Sequence, residues 1–173
     1  MTGVLLVGGT SERFGSPKAL ARLGGETLAE RGWRTLGEAC DEVIAVGKAA
    51  DGLPLPFPVL DDGTASRAPV FGVVAALRAA RHDVCVILPV DCPLVTAEVV
   101  RSLGAAIAVP ADDRPLPGAY SRGMLPLLEE RIGRGELSLR GVNATVLTVD
   151  PGLLADVDTP EALAEIALIA TRP

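Results

Sequence analysis

A glycine-rich segment near the start of the chain carries residue types suited to binding phosphate. Gly8 and Gly9 directly follow the apolar run 4–7, and Arg13 and Lys18 come shortly after them. Glycine lets the backbone turn sharply and approach a ligand with no Cβ in the way, and free N–H groups in such a turn form an anion-binding concavity. Because Arg offers phosphate a planar fork and Lys a point charge, the segment predicts a triphosphate-binding loop.

The segment matches neither of the two common phosphate-binding motifs. The Walker motif requires Gly, four residues and then Gly-Lys-Ser/Thr, whereas here Ser16 and Pro17 separate Gly15 from Lys18. Ala19 stands where the metal-binding hydroxyl would be. The dinucleotide fingerprint is also absent, because the glycines are adjacent and not separated by one residue.

Several aspartates lie where a parallel sheet would present them to a ligand. Asp62 follows a short predicted strand, and Asp91 directly follows the most apolar run of the chain, residues 84–90. Ligands of open α/β sheets bind beyond the carboxyl ends of the strands, so both carboxylates are expected to face that crevice. Mg²⁺ prefers one or two carboxylates together with phosphate oxygens and water, and Asp91 with Asp158 would supply such a pair.

Helix capping is the competing interpretation of these aspartates. Asp91 would cap the next predicted helix, but Thr96 is better placed to do so. For Asp156 and Asp158 the alternative stays open, because Asp before a helix is ordinary capping.

The scarcity of histidine in the sequence also restricts the reactions that the site could catalyse. The single histidine, His82, precedes a predicted strand, and Cys92 has no histidine to activate it, so we interpret Cys92 as a packing residue. A site of Asp, Lys, Arg and Gly fits a reaction whose nucleophile is an already ionised phosphate. Alignment and charge neutralisation would then suffice for attack on the α-phosphorus of a nucleoside triphosphate, with pyrophosphate leaving.

The elements that must position these residues alternate along the chain. Strands are predicted at 4–7, 43–46, 59–60, 84–90, 105–109 and 144–149. Helices are predicted at 26–40, 70–81, from Thr96 to about residue 103, at 124–132 and from Thr159 onward. This alternation predicts an α/β fold, a Rossmann-like doubly wound and mostly parallel sheet with helices on both faces. We expect one domain over 1–173, with a nucleotide-binding part at about 1–110 and an inserted acceptor-side segment at about 111–143.

Composition excludes several classes of partner. The net charge is −6, the sequence pI is about 4.8 and the mean hydropathy is +0.37, so a nucleic-acid partner, which needs a basic face, is not expected. No apolar run approaches the ~20 residues that span a bilayer. The three cysteines form no Cys-x-x-Cys pair and are expected to be reduced thiols. With no recognisable leader at the N-terminus, we expect a cytoplasmic protein with no membrane partner.

The run Leu6–Lys18, which reads Leu-x-Gly-Gly-x-Ser-x-Arg-x-Gly-x-Pro-Lys, resembles the signature loop of a known family. This is the MobA-like NTP transferase family of nucleotidyltransferases, which includes the molybdenum cofactor guanylyltransferases. Further segments are similar to that family in the same order: 61–62, 68–72, 89–93, 114–140 and 156–161. The resemblance implies a fold like that of nucleotide-diphospho-sugar transferases.

The resemblance also implies a reaction and the residues that perform it. GTP would react with molybdenum-bound molybdopterin to give the guanine dinucleotide cofactor and pyrophosphate, with Mg²⁺ as cofactor. Lys18 would contact phosphate, Asp62 the guanine, and Asp91 the Mg²⁺ and triphosphate. Arg13, Lys18 and Asp91 would be catalytic, with Asp158 as the second metal ligand. The implied nucleotide site consists of Leu6, Val7, Gly8, Gly9, Lys18, Asp62 and Asp91. Transient contact with other molybdenum cofactor enzymes is implied too.

The base and the acceptor remain open at this point. Gly8-Gly9 resembles the guanylyl branch, but Asp156-x-Asp158 resembles the cytidylyl branch. Lys48 also ends a segment, 46–48, in which the family often has Asn. The alternatives are a related cytidylyltransferase, or another nucleotidyltransferase with a phosphorylated small-molecule acceptor. A non-catalytic nucleotide-binding module would be expected to lack Lys18 or Asp91, and the chain has both.

Overall fold

The computed structural model describes residues 1–8, 14–111 and 114–170. Its strands are β1 Thr2–Leu6, β2 Arg22–Leu23, β3 Glu26–Thr27, β4 Glu42–Gly47, β5 Val59–Asp61, β6 Val84–Pro89, β7 Val109–Pro110, β8 Gly118–Ser121 and β9 Val146–Leu147. Its helices are α1 Leu28–Gly37, α2 Pro69–Ala79, α3 Ala97–Ala106, α4 Leu125–Gly133 and α5 Pro160–Ala170. No helix within these described ranges has the length and apolar character needed to cross a bilayer.

The central sheet has five strands in the order β5-β4-β1-β6-β8. The first four are parallel, and β8 pairs antiparallel with β6, so the predicted mostly parallel α/β sheet is confirmed. The chain adds β4 and β5 on one side of β1 and then crosses to place β6 on the other side. A reversal of this kind opens a crevice at the carboxyl ends of the strands, here those of β1 and β6.

Helices cover both faces of the sheet, as the sequence predicted. Successive side chains of a strand point to opposite faces, and the buried residues of β1 and β6 divide accordingly. Leu5 and Leu88 belong to the cluster that packs against α1 and α3, whereas Val4 and Ile87 belong to the cluster that packs against α2. The sheet is therefore a rigid layer between two aliphatic cores, which fixes the positions of its strand ends.

The predicted strand at 105–109 is wrong. Thr96 caps α3 as predicted, its Oγ1 accepting from the N–H of Val99 at 3.3 Å, but the helix continues to Ala106. An apolar run of this length does not by itself separate a strand from a buried helix, and the alanines at 105 and 106 favour helix. The strand that follows this helix, β7, is short and pairs with β9 in a separate two-stranded sheet. β9 lies within the strand predicted at 144–149, which is therefore also shorter than expected.

The first helix begins later than predicted. Glu26 and Thr27 pair with β2 across a turn at Gly24 and Gly25, so the helix predicted at 26–40 begins at Leu28. Thr27 and Glu30 form a capping box, in which each side chain accepts from the other residue's backbone N–H. This Thr-x-x-Glu pattern marks the N-terminus of a helix. The helix therefore begins after Thr27, although the helical spacing of apolar residues continues before it.

The side chain of Asn143 connects three segments of the chain by hydrogen bonds, and its replacement is expected to destabilise the fold. Its amide donates to the carbonyls of Ile107 at 2.6 Å and Ala119 at 2.8 Å, and its carbonyl accepts from Thr145 N–H at 2.9 Å. A buried acceptor left unsatisfied costs about 1–3 kcal/mol. Asn143→Ala should therefore lower the free energy of unfolding by about 2–4 kcal/mol in urea denaturation. The exposed neighbour change Thr145→Ala is the control, and equal midpoints for the two variants would contradict this role.

Candidate active site

A cavity of about 400 Å³ lies at the carboxyl ends of the parallel strands. Six residues proposed from the sequence line it: Leu6, Val7, Gly8, Lys18, Asp62 and Asp91. The other two proposed loop residues, Gly9 and Arg13, lie outside the described residues. The structure thus brings together groups that are up to 85 positions apart in the sequence.

Lys18 and Asp91 line this cavity, and a third charged side chain, Asp158, contacts Lys18 without being among the lining residues. The Lys18 Nζ lies 3.1 Å from Asp91 Oδ2 and 2.6 Å from Asp158 Oδ1. The Lys18 side chain is 15% exposed, Asp91 is 29% exposed and Asp158 is 54% exposed. One ammonium from the N-terminal part of the chain therefore holds two carboxylates, one from the middle of the chain and one from near its C-terminus, and we call this group the Lys18 triad.

Local structure explains why Lys18 faces the cavity. Residues Lys18–Leu20 form a single 3-10 turn, in which the N–H of Leu20 donates to the Pro17 carbonyl at 3.0 Å. The following residue, Ala19, is buried in the cluster beneath α1. Because Ala19 anchors the turn in the core, the adjacent Lys18 side chain is left on the cavity side.

Asp91 and Asp158 are positioned by one hydrogen bond between their segments. Asp91 lies between the buried Val90 and Cys92 just beyond β6, and its carbonyl accepts from the N–H of Val157 at 2.8 Å. This bond brings the segment before α5 against the end of β6 and places Asp158 beside Lys18. Asp156 is exposed, and no described contact joins it to Lys18.

The capping alternative does not account for Asp158 or Asp91. At the start of α5 the Oγ1 of Thr159 accepts from the N–H of Ala162 at 3.2 Å, and Thr96 caps α3. Thr159 and Thr96 thus provide the side-chain caps of these two helices, while both carboxylates contact Lys18.

The electrostatics of the triad favour a charged lysine. Burial by itself would lower the pKa of Lys18, but hydrogen bonds and charge from Asp158 and Asp91 outweigh it, so the pKa is raised. The ammonium is consequently present at neutral pH and keeps two like charges together. By contrast, burial raises the pKa of the Cys92 thiol, which agrees with its interpretation as a packing residue.

A second ion pair, which the sequence did not predict, lies in the same cavity. The Lys48 Nζ contacts Asp62 Oδ1 at 2.6 Å and Oδ2 at 2.7 Å, and the two side chains are 10% and 7% exposed. One signal was available: of 16 basic residues, Lys18 and Lys48 are the two lysines and all others are arginine. Both lysines line this cavity.

The sequence from residue 3 to residue 147 matches the family model described as the MobA-like NTP transferase domain. The match spans most of the 173 residues. The chain belongs to this family. The matched range includes Lys18, Lys48, Asp62 and Asp91, whereas Asp158 lies beyond it.

Two relatives and one solved structure place this MobA-like NTP transferase among proteins of similar length. A probable molybdenum cofactor guanylyltransferase of Pelotomaculum thermopropionicum is 36% identical over 76% of this chain and 68% of its own. A molybdenum cofactor guanylyltransferase of Desulfosudis oleivorans is 28% identical over 99% and 98%. The structure of the molybdopterin-guanine dinucleotide biosynthesis protein A of Archaeoglobus fulgidus shares the fold, with 23% identity, a TM-score of 0.82 and 99% coverage of both chains.

The segment predicted to face the acceptor contributes Leu116 to the lining of the cavity. Two of its arginines bind elsewhere. Arg122 donates to the carbonyls of Ala80 and His82, before the amino end of β6, and Arg131 donates to the Arg140 carbonyl on the α4 side. His82 precedes the same end of β6, on the side away from Asp91. Neither arginine nor His82 lines the described cavity.

Proposed function

We propose that this protein transfers the GMP moiety of GTP to molybdenum-bound molybdopterin, forming the guanine dinucleotide cofactor and releasing pyrophosphate. The observation that carries the proposal is the Lys18 triad, at the carboxyl ends of the strands in a MobA-like domain. The names of the guanylyltransferase relatives support the choice of donor and acceptor.

The proposed reaction requires the protein only to align the two substrates and to neutralise charge on their phosphates. An oxygen of the ionised acceptor phosphate forms a bond to the α-phosphorus of GTP, and the bond from that phosphorus to the bridging oxygen of the β-phosphate breaks. Pyrophosphate leaves with the electron pair, so no group has to remove a proton. Lys18 would neutralise charge on the phosphates, and the turn at Lys18–Leu20 holds it in place.

The residues present fit a Mg²⁺ ion. Asp91 and Asp158 converge on one ammonium in this structure, so their oxygens are already arranged around a cation. Mg²⁺ takes one or two carboxylates and completes its shell with phosphate and water, and Asp91 and Asp158 would be the two carboxylates. When bound, Mg²⁺ would neutralise charge on the triphosphate.

Donor and acceptor can be tested together. The purified protein is incubated with Mg²⁺ and each of the four nucleoside triphosphates, with and without molybdenum-bound molybdopterin, while pyrophosphate release is followed. We expect release with GTP that depends on the acceptor and on Mg²⁺, and that is abolished by EDTA. If the protein preferred CTP, it would still be a nucleotidyltransferase, but the guanylyl assignment would be overturned. If pyrophosphate were released without the acceptor, transfer to molybdopterin would be overturned.

A further inference from the structure

The Lys48–Asp62 ion pair has no part in the phosphate chemistry proposed above. Lys48 directly follows β4 and Asp62 directly follows β5, and the N–H of Asp62 donates to the Gly47 carbonyl at 3.1 Å. The pair is therefore built onto two adjacent strands of the sheet. Because a buried charge that loses its partner is strongly destabilising, the two side chains act as one unit.

Lys48 has no donor left for a ligand. An ammonium group has three N–H donors, and the Nζ of Lys48 contacts both Asp62 oxygens, the Thr64 carbonyl at 2.8 Å and the Ser66 carbonyl. A ligand contact would require one of these bonds to break. Lys48 therefore acts on a ligand through Asp62 and through the loop that it holds.

Asp62 is consequently held as an acceptor. An ionised carboxylate cannot donate, and it has about four lone-pair sites, of which Lys48 takes one on each oxygen and Thr64 N–H takes another on Oδ1 at 3.2 Å. An acceptor site remains on Oδ2. Guanine is the nucleobase that presents two neighbouring N–H donors, its N1–H and its 2-amino group. Cytosine and adenine place an acceptor nitrogen beside their amino group, which a carboxylate would repel.

The pair lies at the opposite end of the cavity from the Lys18 triad. In the sheet order, β5 is three strands from β6, which separates the ends that carry Asp62 and Asp91 by about 14 Å at 4.7–4.9 Å per strand. A nucleotide whose phosphates lie at Lys18 and Asp91 would thus direct its base toward Asp62.

We propose that Lys48 is a positioning residue that sets the base preference of this cavity. It holds the Asp62 carboxylate in place, so that the remaining acceptor site on Oδ2 accepts from the 2-amino group of guanine. This inference rests on the proposed function, because it takes the bound ligand to be a nucleoside triphosphate with its phosphates at the Lys18 triad.

Equilibrium binding of three nucleotides tests the role of Lys48. The Kd values of GTP, ITP and CTP are measured by calorimetry; ITP differs from GTP in lacking the 2-amino group. The wild type should prefer GTP over ITP and CTP by about tenfold or more, since one lost hydrogen bond to a charged group amounts to that factor. Lys48→Met and Asp62→Asn should bring the GTP-to-ITP ratio toward one, whereas Lys48→Arg should keep most of the preference.

The control for these variants is Arg78→Met, which removes an exposed ion pair with Glu129 away from the cavity. It should leave all three Kd values unchanged. A Lys48→Met variant that is folded and keeps the wild-type ratios would overturn the inference, because a lysine that merely stabilises the loop would not change selectivity between GTP and ITP.

Spectroscopy of the wild-type protein covers the case in which Lys48→Met does not fold. With two lysines in the chain, ¹³Cε-lysine labelling gives two side-chain signals, assigned through Lys18→Arg and Lys48→Arg. Inorganic triphosphate should shift the Lys18 signal and leave the Lys48 signal in place, and GTP should shift both. A Lys48 signal that does not move with GTP would overturn the inference.

Failure of this inference is distinguishable from failure of the proposed function. A wild type that prefers GTP while Lys48→Met keeps that preference contradicts the role of Lys48 alone. A wild type that binds no nucleotide, or that prefers CTP, contradicts the guanylyl assignment and with it this inference.

Discussion

Asp91→Asn is expected to lower turnover by about 10²–10³-fold, which is the cost of losing one preorganised electrostatic group. Asp91 lies at the end of the rigid strand β6 and contacts the Lys18 ammonium at 3.1 Å. Two carboxylates near a triphosphate are repulsive without a cation and attractive with Mg²⁺ between them. The variant should therefore also need more Mg²⁺ for half-maximal activity, as a titration of steady-state rates would record.

Two further variants make the Asp91 prediction specific. Asp158→Asn should have a smaller effect, because Asp158 is more exposed than Asp91 and a neutral amide oxygen can still coordinate Mg²⁺. Asp83→Asn is the matched control, since Asp83 precedes the opposite end of β6 and is 85% exposed. If Asp91→Asn kept near-normal activity and Mg²⁺ dependence, the metal site would have been placed on the wrong strand.

Lys18→Met should also reduce turnover by orders of magnitude, in the range of about 10²–10³-fold for one lost charge at the phosphates. The loss should appear in kcat/KM for GTP, and circular dichroism should show an intact fold because Lys18 lies on a turn anchored by the buried Ala19. Arg22→Met is the control: its exposed side chain donates to the Gly25 carbonyl.

Lys18→Met should strengthen the binding of metal in the absence of nucleotide, although it lowers turnover. In this structure the ammonium occupies the position between Asp91 and Asp158, and a cation must displace it. Mn²⁺, followed by electron paramagnetic resonance as a substitute for Mg²⁺, should bind the variant more tightly than the wild type. Equal Mn²⁺ affinity in both proteins, together with unchanged GTP kinetics, would contradict the triad as the phosphate and metal site.

The position of Asp91 could be predicted because its signal is local. An unbroken apolar run followed by Asp predicts a buried parallel strand with a carboxylate at its end, and both were found. Lys18, which lines the cavity, was likewise predicted from the local pattern of the segment that contains it. Pairing of Lys18 with Asp158, 140 residues away, follows from the Val157 hydrogen bond to Asp91 and has no signal of its own in the sequence.

Features that depend on register or on competing local signals could not be predicted. Lys48 meets Asp62 because β4 pairs with β5 and the loop after β5 folds back, and no spacing rule encodes that contact. Residues 105–109 were assigned to a strand because buried helix and buried strand have the same apolar composition. Asn143 binds three backbone groups whose positions only the folded chain defines.

Transfer of isotope from GTP tests the central claim most directly. The wild-type protein, Mg²⁺ and molybdenum-bound molybdopterin are incubated with GTP labelled at the α-phosphorus or, separately, at the γ-phosphorus. Attack on the α-phosphorus predicts that the α-label appears in the dinucleotide product in a one-to-one ratio with released pyrophosphate, and that the γ-label appears in pyrophosphate alone. Label from the γ-phosphorus in the acceptor, or no α-label in the product, would contradict it.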